Sequence, residues 1–203
     1  MDTALAAFIL GYHGCDAQVV EDVCMGKCGL TASHNDYDWL ADGIYFWEHN
    51  IQRAYDFACM MAKRPHPSGQ KIRHPAVVGA IINLGNCLNL LDSQYIAVVR
   101  KAFDDLVLTL QSSGQPLPRN TGGNDRVGRK LDCAVMRTLH RTHEEAGRLP
   151  FDTVRAAFFE GEPLYENAGF ASRNHIQVCV RNPSRILGYF RPLGENGLPA
   201  AYK

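Results

Sequence analysis

Nothing in the 203-residue chain approaches the ~18 consecutive apolar residues that a membrane-spanning helix requires, so no membrane partner is expected. Neither sign of charge is in excess. Lys and Arg number 21 against 21 Asp and Glu, and the overall basic footprint that most nucleic-acid binders carry is missing. A regular cysteine framework is missing too. Seven cysteines, an odd number, point to free thiols in a reducing cytoplasm rather than to a secreted disulfide scaffold. Cys24, Cys28 and His34 lie close in sequence, but no second Cys or His pair follows at a matching spacing, so no metal site is expected. The opening Met1-Asp-Thr-Ala-Leu-Ala-Ala-Phe-Ile-Leu10 has an acid where a secretory leader has its basic region, and reads as the lead-in to a first strand. There is no internal repeat and no low-complexity segment.

What remains is an ordinary globular composition, 46% hydrophobic and 21% charged, on a chain long enough for one core. A single domain over residues 1–203 is the expectation. Residues 7–12 read as a buried strand ending at His13-Gly14-Cys15. Asp16 suits an N-cap, and Val19, Val20, Val23 and Cys24 keep near-helical spacing up to Gly26. From Gly29 to Asp42 the chain is polar and turn-rich, with Trp39 and Leu40 as anchors. Gly43-Ile-Tyr45-Phe-Trp47-Glu48 reads as a strand and His49 to Ala58 as a helix, an arrangement that holds the ring of Tyr45 rigid enough to stack on a ligand.

A basic, proline-broken loop follows at 63–74. Val77 to Leu84 is β-rich, Leu88 to Leu91 is apolar, and Asp92 or Ser93 caps a helix reaching Leu110. Ser112 to Gly128 is a second loop, with Arg119, Arg126 and Arg129 near it, and Lys130 to about His143 is helical. Phe151 to Phe159 fits strand or helix. Glu160 to Gly169 is a loop, His175 to Arg181 alternates as a strand, Asn182-Pro-Ser184 turns, and Ile186 to Phe190 is a final strand. Strands at both ends with helices between them predict an α+β domain with a mainly antiparallel sheet and a helical insertion at about 85–150.

Three separated pieces carry chemistry. Tyr12-His13-Gly14 ends the first strand, Gly43-Ile44-Tyr45-Phe46 with Arg53-Ala54-Tyr55 behind it forms the second piece, and Gln177-Val-Cys-Val-Arg181-Asn-Pro-Ser-Arg185-Ile186 forms the third. In this order and at these separations they resemble the ADP-ribosyltransferase superfamily, in particular the His-Tyr-Glu branch of diphtheria toxin and the poly(ADP-ribose) polymerases. Residues from about 85 to 170 have no counterpart in that pattern. The resemblance implies the family's split, mainly antiparallel sheet and NAD as co-substrate. Gly14 would offer its backbone to the nicotinamide carboxamide, its missing side chain allowing close approach. His13 would bond a ribose hydroxyl, and Tyr45 would stack on the nicotinamide. Tyr12, Gly43, Arg53 and Tyr55 complete the cofactor-binding set that the motifs imply.

Gln177 departs from the pattern. A glutamate there orients the ribose 2′-hydroxyl, offsets the developing positive charge and helps to activate a nucleophile; a glutamine does only the first. Single transfer is therefore favoured over polymer synthesis, with Glu160 or Glu162 as the candidate acid on the acceptor side. The expected activity is transfer of one ADP-ribose to a nucleic acid or protein acceptor. The alternatives are a catalytically silent NAD-binding module and an NAD glycohydrolase. By analogy alone, a small enzyme of this kind is expected to be a cytoplasmic toxin of a toxin–antitoxin or phage-defence system, with a neutralising antitoxin protein as partner.

Overall fold

A computed structural model describes residues 8–63, 72–122 and 128–192. The elements in order are β1 (Phe8–Asp16), α1 (Ala17–Cys24), β2 (Ile44–Glu48), α2 (Ile51–Lys63), β3 (Pro75–Asn83), β4 (Cys87–Asn89), α3 (Ser93–Ser112), α4 (Lys130–Glu145), β5 (Thr153–Phe158), β6 (His175–Val180) and β7 (Ile186–Phe190), with a 3-10 turn at Pro183–Arg185. The seven strands form one sheet in the order β4-β5-β6-β2-β1-β3-β7. Its pairings are antiparallel except for β4 with β5. The fold is mixed α and β with a mostly antiparallel sheet, as the pattern of elements predicts.

The differences lie where the sequence signal is short. β4 has three residues, too few to alternate visibly, and falls inside the stretch expected to be a helical insertion. The ambiguous 151–159 segment is a strand. Thr153, Val154, Ala156 and Phe158 are buried while Arg155 and Ala157 are less so, a period of two. The first strand runs on to Asp16, which also caps α1 by accepting from the Gln18 N–H at 3.0 Å. The same carboxylate accepts from the Arg73 and His74 N–H groups at 2.6 and 3.0 Å, tying the lead-in to β3 onto the end of β1. Residues 64–71 of the basic loop, Arg126, and the lead-in before Phe8 lie outside the described residues.

Side-chain alternation divides the core between the two faces of the sheet. On one face Ile44, Phe46, Val178, Val180, Ala80 and Ile82 pack together, and α1 covers Cys15, Ala76 and Val78 through Val20 and Val23. Phe46 is fully buried here, worth about 1.5–3 kcal/mol in removal from water. The other face carries two separate helical layers. α2 lies over Tyr12, Trp47 and Val77, while α3 and α4 lie over Leu88, Val154, Ala156 and Cys179, with Trp39 and Tyr45 packed at their margin. The close approach of α2 rests on small residues at i and i+4. Ala54 and Ala58 are fully buried, and a Cβ on Gly14 would collide with the Ala54 carbonyl. Glycine at 14 is thus demanded by helix-on-strand packing.

Candidate functional site

β1 and β2 are joined at two registered positions only, Gly11 with Glu48 and Tyr12 with Trp47. Beyond them the strands part. β1 stays on β3 to its end, and β2 keeps β6 on its other side from Ile44 to Trp47. Gly43 exchanges both its backbone hydrogen bonds with Ser33 of the preceding loop, at 2.8 and 3.1 Å. A side chain at 43 would meet the Cys179 sulfur and the Val180 carbonyl, so only glycine fits between loop and β6. Where the strands separate, a cleft of about 720 Å3 opens, a size typical of small-molecule sites. Arg53, Phe57 and Met60 of α2 line it, as do Trp39 of the loop, Arg129 before α4, and Phe158, Glu160 and Arg173 at the ends of β5 and β6.

His13, Tyr45 and Gln177 come from three adjacent strands and all line this cleft. His13 bridges the gap between the strands, its Nδ1 2.8 Å from the Tyr45 carbonyl oxygen. A carbonyl only accepts, so Nδ1 carries the proton and Nε2 keeps the lone pair. Burial lowers the His13 pKa, opposed in part by that hydrogen bond. The imidazole is therefore neutral at pH 7, an acceptor suited to a hydroxyl.

The Tyr45 ring is held at its far end. Its hydroxyl accepts from the Leu40 N–H at 3.0 Å and donates to the Ala41 carbonyl at 2.7 Å. Ala41 has φ 65°, a left-handed conformation that a non-glycine residue keeps only when its surroundings hold it. Burial pushes the phenol pKa up, so the donor proton stays in place. Trp39, from the same turn, donates its indole N–H to the Gln177 Oε1 at 2.6 Å. Its ring stands edge-on to Phe158, centroids 4.8 Å apart, with the Arg129 guanidinium 4.5 Å from the Phe158 ring centre.

Glu160 sits in the cleft with its side chain 14% exposed, bonded to Arg53 Nη2 at 2.7 Å and to Arg173 Nη1 at 3.3 Å. Two guanidinium groups thus hold a mostly buried carboxylate by charge-assisted bonds. Glu162 is exposed and does not line the cleft.

Other expected site residues also stand apart from the lining. Tyr12 points to the α2 face, its ring edge-on to Phe190 at 6.1 Å. Gly14 is accounted for by α2, and Tyr55 packs in the Trp47 cluster. Tyr55, two residues from Arg53 on α2, faces a different way, whereas Tyr12 shares the sheet face of its registered partner Trp47 and is covered there by α2.

Trp39, Phe158 and Arg173 belong to the cleft but were not among the expected site residues. They belong to loops or strand ends, where no periodicity marks which side chains turn inward. Trp39 alone had a cue, as the one tryptophan in a polar, turn-rich stretch. Of the basic loop residues, Arg129 reaches the cleft and Arg119 is exposed.

No family model matches the chain, and no solved structure matches it. The chain is similar to a protein of Methanocaldococcus jannaschii described as "Uncharacterized protein MJ0359", 25% identical over 191 residues, which span 86% of this chain and 83% of the archaeal one. No described helix is long and apolar enough to cross a membrane.

Proposed function

We propose that the chain binds NAD in this cleft and transfers a single ADP-ribose to a macromolecular acceptor. The observation that carries the proposal is the parting of β1 from β2 after Tyr12 and Trp47, which opens the sheet beside His13, Tyr45 and Gln177. That separation fits the split sheet that the family resemblance implies. The chemistry of the three side chains fits the task. Neutral His13 accepts a ribose hydroxyl through Nε2. Tyr45, its hydroxyl tied to the Leu40–Ala41 turn, presents a fixed ring to a pyridinium, and a ring that is already ordered adds little entropy cost on binding.

Cleavage of the nicotinamide–ribose bond leaves positive charge on the ribosyl carbon. Gln177 supplies no negative charge to offset it; of the carboxylates that line the cleft, Asp38, Asp56 and Glu160, Glu160 is the mostly buried one, its side chain 14% exposed. Glu160, its charge offset by Arg53 and Arg173, takes the proton of the incoming nucleophile. The test is incubation with labelled NAD and cell lysate, comparing wild type with His13→Ala and Tyr45→Ala. Label enters macromolecules with the wild type and falls at least tenfold with each variant; equal labelling by all three sinks the proposal.

A second reading has its own observation. The side chain at 177 is an amide already engaged by Trp39, which suits a module that binds NAD without cleaving it. Calorimetric NAD binding with no nicotinamide release selects that reading. Free ADP-ribose without labelled macromolecule selects a glycohydrolase.

A further inference from the structure

The hydrogen bond between Trp39 and Gln177 has chemical content beyond packing. An indole N–H is a donor and never an acceptor. The partner it meets at 2.6 Å is therefore the carbonyl oxygen of the amide, Gln177 Oε1, and the opposite orientation would set two donors against each other. We propose that Trp39 is a positioning residue that fixes the Gln177 amide with Oε1 held by the indole and the NH2 group presented to the bound ligand. Gln177 then faces its ligand as a hydrogen-bond donor. The ligand atom beside it is an acceptor, and within the NAD reading above, on which this functional part rests, that atom is the ribose 2′-oxygen.

The surroundings make this orientation a property of the loop and not of Gln177 alone. Trp39 precedes Leu40 and Ala41, whose backbone groups are held by the Tyr45 hydroxyl. Its ring is edge-on to Phe158 at 4.8 Å, and the Arg129 guanidinium lies 5.7 Å from its centre. Gln177 is opposite Trp47 on β2 and Ala156 on β5, so its backbone is fixed from both sides. The side-chain torsions are the freedom that remains, and the indole anchors the amide at their end. A glutamate at 177 would need no such device, because its two oxygens are equivalent acceptors.

This difference supplies the test. The chain has two tryptophans, so Trp39→Phe assigns both indole N–H signals in a proton–nitrogen NMR spectrum. The Trp39 signal is expected downfield and slow to exchange in the wild type, shifted upfield in Gln177→Met, and kept downfield in Gln177→Glu. An unchanged Trp39 signal in Gln177→Met overturns the proposal without reference to NAD.

The kinetic arm uses Trp39→Phe, which keeps a smaller aromatic ring against Phe158 and removes the donor. In the Gln177 background kcat for NAD cleavage falls by about threefold to tenfold with KM little changed, the worth of one oriented hydrogen bond. In the Gln177→Glu background the same substitution leaves kcat within twofold. Equal losses in both backgrounds mean that Trp39 acts through packing, and overturn the proposal. Should the wild type cleave no NAD while the indole signal responds as stated, the amide orientation stands and the transferase reading falls.

Discussion

Replacing Tyr45 by Phe separates what the ring does from what the hydroxyl does. The substitution keeps the aromatic face in the cleft and removes one oxygen. That oxygen serves two backbone groups, the N–H of Leu40 and the carbonyl of Ala41, on residues only 1% and 2% exposed. Neither group has solvent to turn to. The Ala41 carbonyl keeps the Cys179 thiol at 3.8 Å, a weak donor, while the Leu40 N–H loses the partner described here. A buried polar group left unpaired costs about 1–3 kcal/mol, so Tyr45→Phe is expected to lower stability by about 2–4 kcal/mol. For a domain of this size that is a fall of about 4–16 °C in Tm. Urea denaturation of the two proteins at pH 7 measures it as a drop in midpoint at constant slope. Tyr189→Phe is the internal control. Its hydroxyl meets the Leu30 N–H at a long 3.5 Å, and its loss costs under about 1 kcal/mol. If Tyr45→Phe falls within about 0.5 kcal/mol of wild type, the turn is not held by the phenol, and the account of a rigid ring fails with it.

The remaining predictions concern buried charge. His140 is 4% exposed, neither ring nitrogen has a hydrogen-bond partner among the described residues, and burial, aided by the nearby Arg181, pushes its pKa down to about 3. Between the unfolded value of about 6.5 and the folded one, the unfolded chain binds a proton that the folded chain does not, so stability falls as pH falls. At pH 5 the loss from this residue is about 2 kcal/mol. His140→Leu should flatten the acid limb of a stability–pH curve, and an unaltered limb refutes the assignment. Arg53 and Glu160, 13% and 14% exposed and 2.7 Å apart, form the second case. Glu160→Leu leaves a largely buried guanidinium with its main partner gone and costs about 3 kcal/mol, whereas Arg53→Met with Glu160→Leu recovers most of that loss. A double-mutant cycle by denaturation reads the coupling, and a value under about 1 kcal/mol means the pair is solvated after all.

How far the sequence could be read depended on whether a feature repeats along the chain or arises between distant parts of it. Ile44 to Glu48 declared itself by apolar and aromatic content, and Asp16 and Asp92 by capping chemistry; both signals are local. β4 was hidden because three residues cannot show a period, and its pairing with β5 depends on Thr153 and Val154, more than 60 positions away. The motif pieces singled out His13, Tyr45 and Gln177, and the strand order β6-β2-β1 brings them to one cleft. The motif could not distinguish Gly43, pressed against β6, from Gly14, whose missing side chain makes room for α2. Nor could it separate Glu160 from Glu162. They are two residues apart in one loop, and only the positions of Arg53 and Arg173 decide which one is drawn into the cleft.

The sequence by itself determined most of the elements, β4 and the strand at 153–158 excepted, and their mainly antiparallel class, because hydrophobic period and capping are set within a few residues; the family resemblance pointed to the three strands that carry His13, Tyr45 and Gln177. The tertiary structure alone decided that β1 and β2 part after two pairs, that the indole of Trp39 reaches across 138 positions of sequence to Gln177, and which way the Gln177 amide faces. Those outcomes follow from the packing of a loop and two separate helical layers on one sheet face, and no local run of residues encodes them.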